Sequence, residues 1–99
     1  MIEVTQLPKV YESDIRRAVQ ILKEAGCTHV FLFGSLAAGK IRDGSDIDLA
    51  IRGCPRGQFF HLLGRLLLEL DHPVDLIDLD GQSAFARYLV EKGELHQVG

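Results

Sequence analysis

Phe33-Gly34-Ser35-Leu36-Ala37-Ala38-Gly39-Lys40-Ile41-Arg42-Asp43-Gly44-Ser45-Asp46-Ile47-Asp48-Leu49 is the stretch on which the reading of this chain turns. Upstream, His29-Val30-Phe31-Leu32-Phe33 is a short β-rich run closed by Gly34. Downstream, Asp46 to Ile51 alternates polar and apolar before Gly53 and Pro55. Both runs read as strands. Only the twelve residues Gly34 to Ser45 separate them, with room in Leu36 to Lys40 for a short helix at most. Antiparallel pairing is then the simplest connection, because parallel strands need a longer crossover.

Outward from this centre the pattern alternates. Glu12 to Ala25 places Ile15, Ala18, Val19 and Leu22 at helical spacing, with Ser13 or Asp14 as the N-cap and Gly26 as the stop. Gln58 to Leu70 is a strongly apolar helix whose Phe59, Phe60, Leu62, Leu63, Leu66, Leu67 and Leu70 exceed one stripe. It is either buried on two sides or carries a docking face for another protein. Pro73 to Leu79 reads as a third strand, and Ser83 caps a last helix with Phe85, Ala86, Leu89 and Val90 that ends at Gly93. The predicted order is α-β-β-α-β-α: an α/β (α+β) domain with a small mixed sheet, antiparallel in its first strand pair and flanked by helices.

Ninety-nine residues, 46% apolar and 25% charged, suit a single domain over 1–99 with an open groove or a partner-completed site. The net charge of −3, with scattered basic residues, excludes a nucleic-acid footprint. No apolar run approaches a membrane span or a secretory h-region, so the expectation is a soluble, cytoplasmic chain without membrane contact. Cys27 and Cys54 lack metal spacing and read as buried free thiols. His29, His61, His72 and His96 lack ligand spacing with one another, and Tyr88, which could stack or accept a nucleotide, is assigned to core packing.

Two features of the central stretch need chemistry to explain them. A strand ending in Gly34-Ser35 and turning into a short helix aims backbone N–H groups and a hydroxyl at one point, which suits a phosphate. Asp46 and Asp48, at i and i+2 of one strand, send their carboxylates from the same face, roughly 6.6 Å apart at the backbone. Two such charges repel and call for a cation; oxygen-only ligands favour magnesium or manganese. A third carboxylate would complete a two-ion site. Asp75 and Asp78 leave the third strand on opposite faces, so only one can join. Gly34 to Lys40 also matches the glycine spacing of a P-loop, but Ile41 stands where Ser or Thr is required and a turn replaces the helix.

Gly34-Ser35, ten residues, Asp46-x-Asp48 and the later Val74-Asp75-Leu76 together resemble the DNA polymerase β-like nucleotidyltransferase superfamily, and the whole chain resembles its minimal nucleotidyltransferase (MNT) domains. The resemblance implies Asp46, Asp48 and Asp75 as catalytic metal ligands for two magnesium ions, manganese being the alternative. Gly34 and Ser35 would contact the phosphates of ATP, with Lys40 and Ser45 as further nucleotide-binding candidates. Ala38 departs from the pattern, since many members carry Arg there.

By the same resemblance the activity is metal-dependent transfer of a nucleoside monophosphate, AMP from ATP, to an acceptor hydroxyl. Stand-alone MNT proteins are commonly paired, as antitoxins, with a helical HEPN-domain toxin, a tyrosine of which the family can AMPylate, so such a toxin is the expected partner; self-association is left open. The alternative is a catalytically weak nucleotide- and metal-binding antitoxin that neutralises its partner by occlusion, with Ala38 as its motive.

Overall fold

In a computed structural model, residues 7–39, 46–81 and 83–99 are described. The elements run α1 (Lys9–Glu24), β1 (His29–Phe33), α2 (Gly34–Ala37), β2 (Ile47–Arg52), α3 (Phe59–Glu69), β3 (Val74–Asp78), α4 (Ala84–Lys92) and β4 (His96–Gln97). One four-stranded sheet holds them in the order β3-β2-β1-β4. The β1–β2 pair is antiparallel, as the short connection requires, and β2–β3 is parallel because the whole of α3 carries the chain back. The mixed α/β architecture expected from the sequence is the one observed. The one-turn helix α2 is the short helix expected after the Gly34-Ser35 turn, two residues earlier than Leu36 to Lys40, and a small element that was not expected is β4. It pairs with β1 through Phe31↔Gln97 and Leu32↔His96.

The sheet has two faces. Val30, Leu32, Ile47, Leu49, Ile51, Val74 and Leu76 pack with α1, α3 and Leu36 of α2 into the main core. Phe33, Ala50, Leu79, Ala86 and Leu89 form a smaller core under α4. The second face is therefore only partly covered. Burial of Leu36, which is fully enclosed, anchors the Gly34-Ser35 turn to the main core. A buried leucine contributes about 1.5–3 kcal/mol.

Three expectations are corrected. First, α1 starts at Lys9 with Pro8 as its cap residue, so neither Ser13 nor Asp14 is the N-cap. Asp14 is buried instead, and its carboxylate accepts from the Asp71 and His72 backbone N–H groups at 3.0 and 2.9 Å and lies 2.7 Å from His72 Nδ1. It thereby fixes the turn that leads into β3. Asp14→Ala should lower stability by about 3 kcal/mol, since several donors lose a charged acceptor, and Asp14→Asn by less. Urea unfolding of the two variants checks this.

Second, Cys27 and Cys54 are joined in a disulfide rather than carrying free thiols. Continuing the β1–β2 register two pairs beyond His29↔Arg52 sets them opposite each other, with their Cα atoms 3.9 Å apart. Third, Tyr88 is 48% exposed and is not a core residue.

The helix left open between two readings has one apolar flank in solvent. In α3, Leu62 and Leu66 face the core while Phe60 and Leu68 are 81% and 88% exposed. Arg17 of α1 and Arg65 both bind Glu69 beside this flank, tying α1 to α3 and holding the Glu69 carboxyl below its ordinary range. Ser83 caps α4 by accepting from the Ala86 N–H at 3.0 Å, and Gly93 ends it in the left-handed conformation, both as the sequence predicts. Among the described residues no helix is long and apolar enough to cross a membrane.

Candidate active site

Register brings the acidic residues together. Phe33 of β1 stands opposite Asp48 of β2, and Asp48 in turn stands beside Asp75 of β3. Directly paired residues share a face of a sheet, so Phe33, Asp48 and Asp75 lie on the partly covered α4 side. Asp48 is hydrogen-bonded to Asp75, and Asp46, exposed just ahead of β2, acts on the same carboxyl through its charge. Partial burial, with the charges of Asp75 and Asp46 and the hydrogen bond to Asp75, pushes the Asp48 carboxyl up to about 6.

Asp78 is elsewhere. It pairs with Ile51 at the far end of β3, accepts from the Asp80 N–H at 2.9 Å and lines a hollow of about 370 Å³ with Cys54, Arg56, Phe59 and Asp80. Of the two later aspartates, Asp75 is the one beside Asp48.

The Gly34-Ser35 turn abuts this cluster. Phe33 is extended and Gly34 has φ +76°, so the chain leaves β1 and enters α2 within one residue. A side chain at Gly34 would put its Cβ 2.1 Å from Asp48 Oδ2. The glycine is thus required twice, for its dihedral angle and for the space the carboxyl occupies. Ser35 follows in the first turn of α2, where backbone N–H groups have no intrahelical acceptor. Ala38, at the position where the family pattern has arginine, ends α2 as its C-cap. Lys40 and Ser45, the remaining nucleotide-binding candidates, fall outside the described residues.

Among the described residues no three His, Cys, Asp or Glu side chains are already gathered into a metal cage. The acidic cluster is a contacting pair with a third charge nearby. Its donor set of carboxylate oxygens suits a hard divalent cation, and its mutual repulsion is what a cation would relieve.

The raised Asp48 value fixes a pH dependence. The carboxyl is harder to ionise in the folded chain, about 6 against the ordinary 3.8. Its contribution to stability is therefore complete below pH 3.8 and is lost as pH rises through about 6. In EDTA the melting temperature should fall across that window more steeply for the native chain than for Asp48→Asn, which cannot titrate. Magnesium should restore stability above it, the ion taking the place of the proton. Identical profiles for the two proteins would contradict this.

Fold and cluster together define a nucleotidyl-transfer domain. Residues 17–95 match the family model described as "Polymerase beta, Nucleotidyltransferase", and the chain belongs to that family. No curated protein sequence matches it. Among solved structures it resembles a chain of a toxin–antitoxin complex with AMP-PNP, at 26% identity and TM-score 0.67 over 86% of this chain and 69% of that one. A chain from the complex of tri-AMPylated Shewanella oneidensis HEPN toxin with MNT antitoxin shares the fold at 23% identity and TM-score 0.63, over 87% and 69%. So does a minimal nucleotidyltransferase assigned as such by inference, at 22% identity and TM-score 0.67 over 92% and 93%.

Proposed function

We propose that this chain transfers AMP from ATP to a hydroxyl of a partner protein, the tyrosine of a helical HEPN toxin, and so acts as the antitoxin of a pair. The observation that carries the reading is the Asp48–Asp75 contact directly beside the Gly34-Ser35 turn, with Asp46 adding charge. The similarity to a toxin–antitoxin chain with AMP-PNP supports both the nucleotide and the kind of partner. ATP as the donor supports a cytoplasmic setting for the reaction.

In this reading Gly34 and Ser35 hold the phosphates of ATP through first-turn N–H groups and the serine hydroxyl. Asp46, Asp48 and Asp75 would hold two magnesium ions, which when bound neutralise phosphate charge and polarise the α-phosphate. Asp75, the more exposed member of the pair, takes the proton of the acceptor hydroxyl as its oxygen bonds to the α-phosphorus; the α–β bridge breaks and pyrophosphate leaves. The half-covered α4 side of the sheet admits a protein acceptor, and the exposed flank of α3 at Phe60 and Leu68, on the opposite side of the sheet, is a separate candidate contact surface for the partner.

The test is incubation with α-phosphate-labelled ATP, magnesium and host lysate, followed by mass spectrometry of any labelled band. A labelled tyrosine on a helical partner is expected. Toxin neutralisation without any label would instead favour occlusion, the reading that the absence of arginine at Ala38 motivates.

A further inference from the structure

A ladder of aromatic rings starts at the candidate site and runs outward along α4. Phe33, which precedes Gly34 and stands opposite Asp48, has its ring centroid 6.0 Å from that of Phe85. Phe85 in turn stacks on Tyr88, 6.4 Å away with 24° between the planes. Phe33 is buried, whereas Phe85 and Tyr88 are each 48% exposed. Packing accounts for Ala86 and Leu89, which α4 turns into the smaller core. It does not account for two large neighbouring rings, at i and i+3 of the same helix, left half in solvent.

Their position suggests a ligand. They lie on the same side of the sheet as Asp48 and Asp75, at the end of a ring series that begins one residue from the phosphate-facing turn. A nucleotide whose phosphates meet Gly34-Ser35 must carry its base away from that turn, and a base has a flat π face. We propose that Phe85 and Tyr88 form the platform on which the nucleobase stacks. This rests on the nucleotide reading given above. Stacking tolerates any base, so the platform gives affinity without strong base preference.

Inorganic tripolyphosphate separates the platform from the phosphate site, because it can occupy the latter only. In NMR titrations with magnesium present, ATP should move the ring resonances of Phe85 and Tyr88 upfield, while tripolyphosphate moves Ser35 and Asp48 but not the rings. By calorimetry, Phe85→Leu/Tyr88→Leu, which keeps apolar bulk, should lose roughly 5- to 100-fold in ATP affinity. Its tripolyphosphate affinity should stay within about twofold of the native value, which also reports that the variant is folded. Equal ATP affinity in the variant, or rings that shift only when a protein partner is added, would overturn the platform and leave the phosphate site standing. Failure of both ligands to bind the native chain would remove the nucleotide reading, and the platform with it.

Discussion

Asp48→Asn is expected to abolish AMP transfer, by about a thousandfold or more, while leaving the metal-free protein at least as stable as the native chain above pH 6. The two effects have one cause. Asp48 is the carboxyl on which partial burial and the charges of Asp75 and Asp46 converge, so in the absence of a cation it is a source of repulsion. Asparagine removes that repulsion and keeps the volume. The same substitution takes away the central anionic oxygen of the cluster, and with it the affinity for the ions that would stabilise the departing pyrophosphate. Labelled-ATP transfer and thermal melting on the same sample read both quantities. A variant that lost activity because it unfolded, or one that kept transferring, would each contradict the assignment. If transfer vanishes and toxin neutralisation persists, occlusion carries the antitoxin effect.

Gly34→Ala should be the most damaging methyl group that can be added to the described chain near this site. Two penalties add there. The alanine must hold φ near +76°, and its Cβ must displace the Asp48 carboxylate, whose Oδ2 lies 2.1 Å from the position it would take. Together these should cost about 2–4 kcal/mol, a drop in melting temperature of roughly 10–25 °C for a domain of this size. Gly39 supplies the control. It too has positive φ, +74°, but among the described residues a Cβ there meets nothing within 4 Å. Gly39→Ala should therefore show only the dihedral penalty, about 1–2 kcal/mol, and keep magnesium binding. Equal losses at the two glycines would mean that the close approach to Asp48 contributes nothing.

Much of this architecture is legible in the residues themselves. Local rules are enough where an element is defined by its own neighbours. The β-rich run His29–Phe33 and the helix between Ser83 and Gly93 carry their stop and start signals within a few residues. The short span between the first two strands dictates their antiparallel pairing. The Gly-Ser turn and the spaced aspartates are visible as a motif because glycine and aspartate are each costly inside strands.

Other features have no local signal. The two-residue β4 is a strand only because β1 offers it an edge, and nothing after Gly93 alternates. Asp14 reads as a helix cap from its neighbours, but α1 begins five residues earlier and buries it against a turn nearly sixty residues away. The cysteines read as free thiols because their spacing fits no motif; the antiparallel register alone sets Cys27 against Cys54. Likewise, the order of residues left two later aspartates as candidates, and the parallel β2–β3 register, which depends on how α3 packs, set Asp75 rather than Asp78 beside Asp48. Sequence by itself determined the element types, the first strand pair and the chemical character of the site, because these follow from periodicity, chain length and residue type. Tertiary structure alone decided which distant groups meet and which rings stay in solvent, because those depend on register and on which face of each element the core takes up.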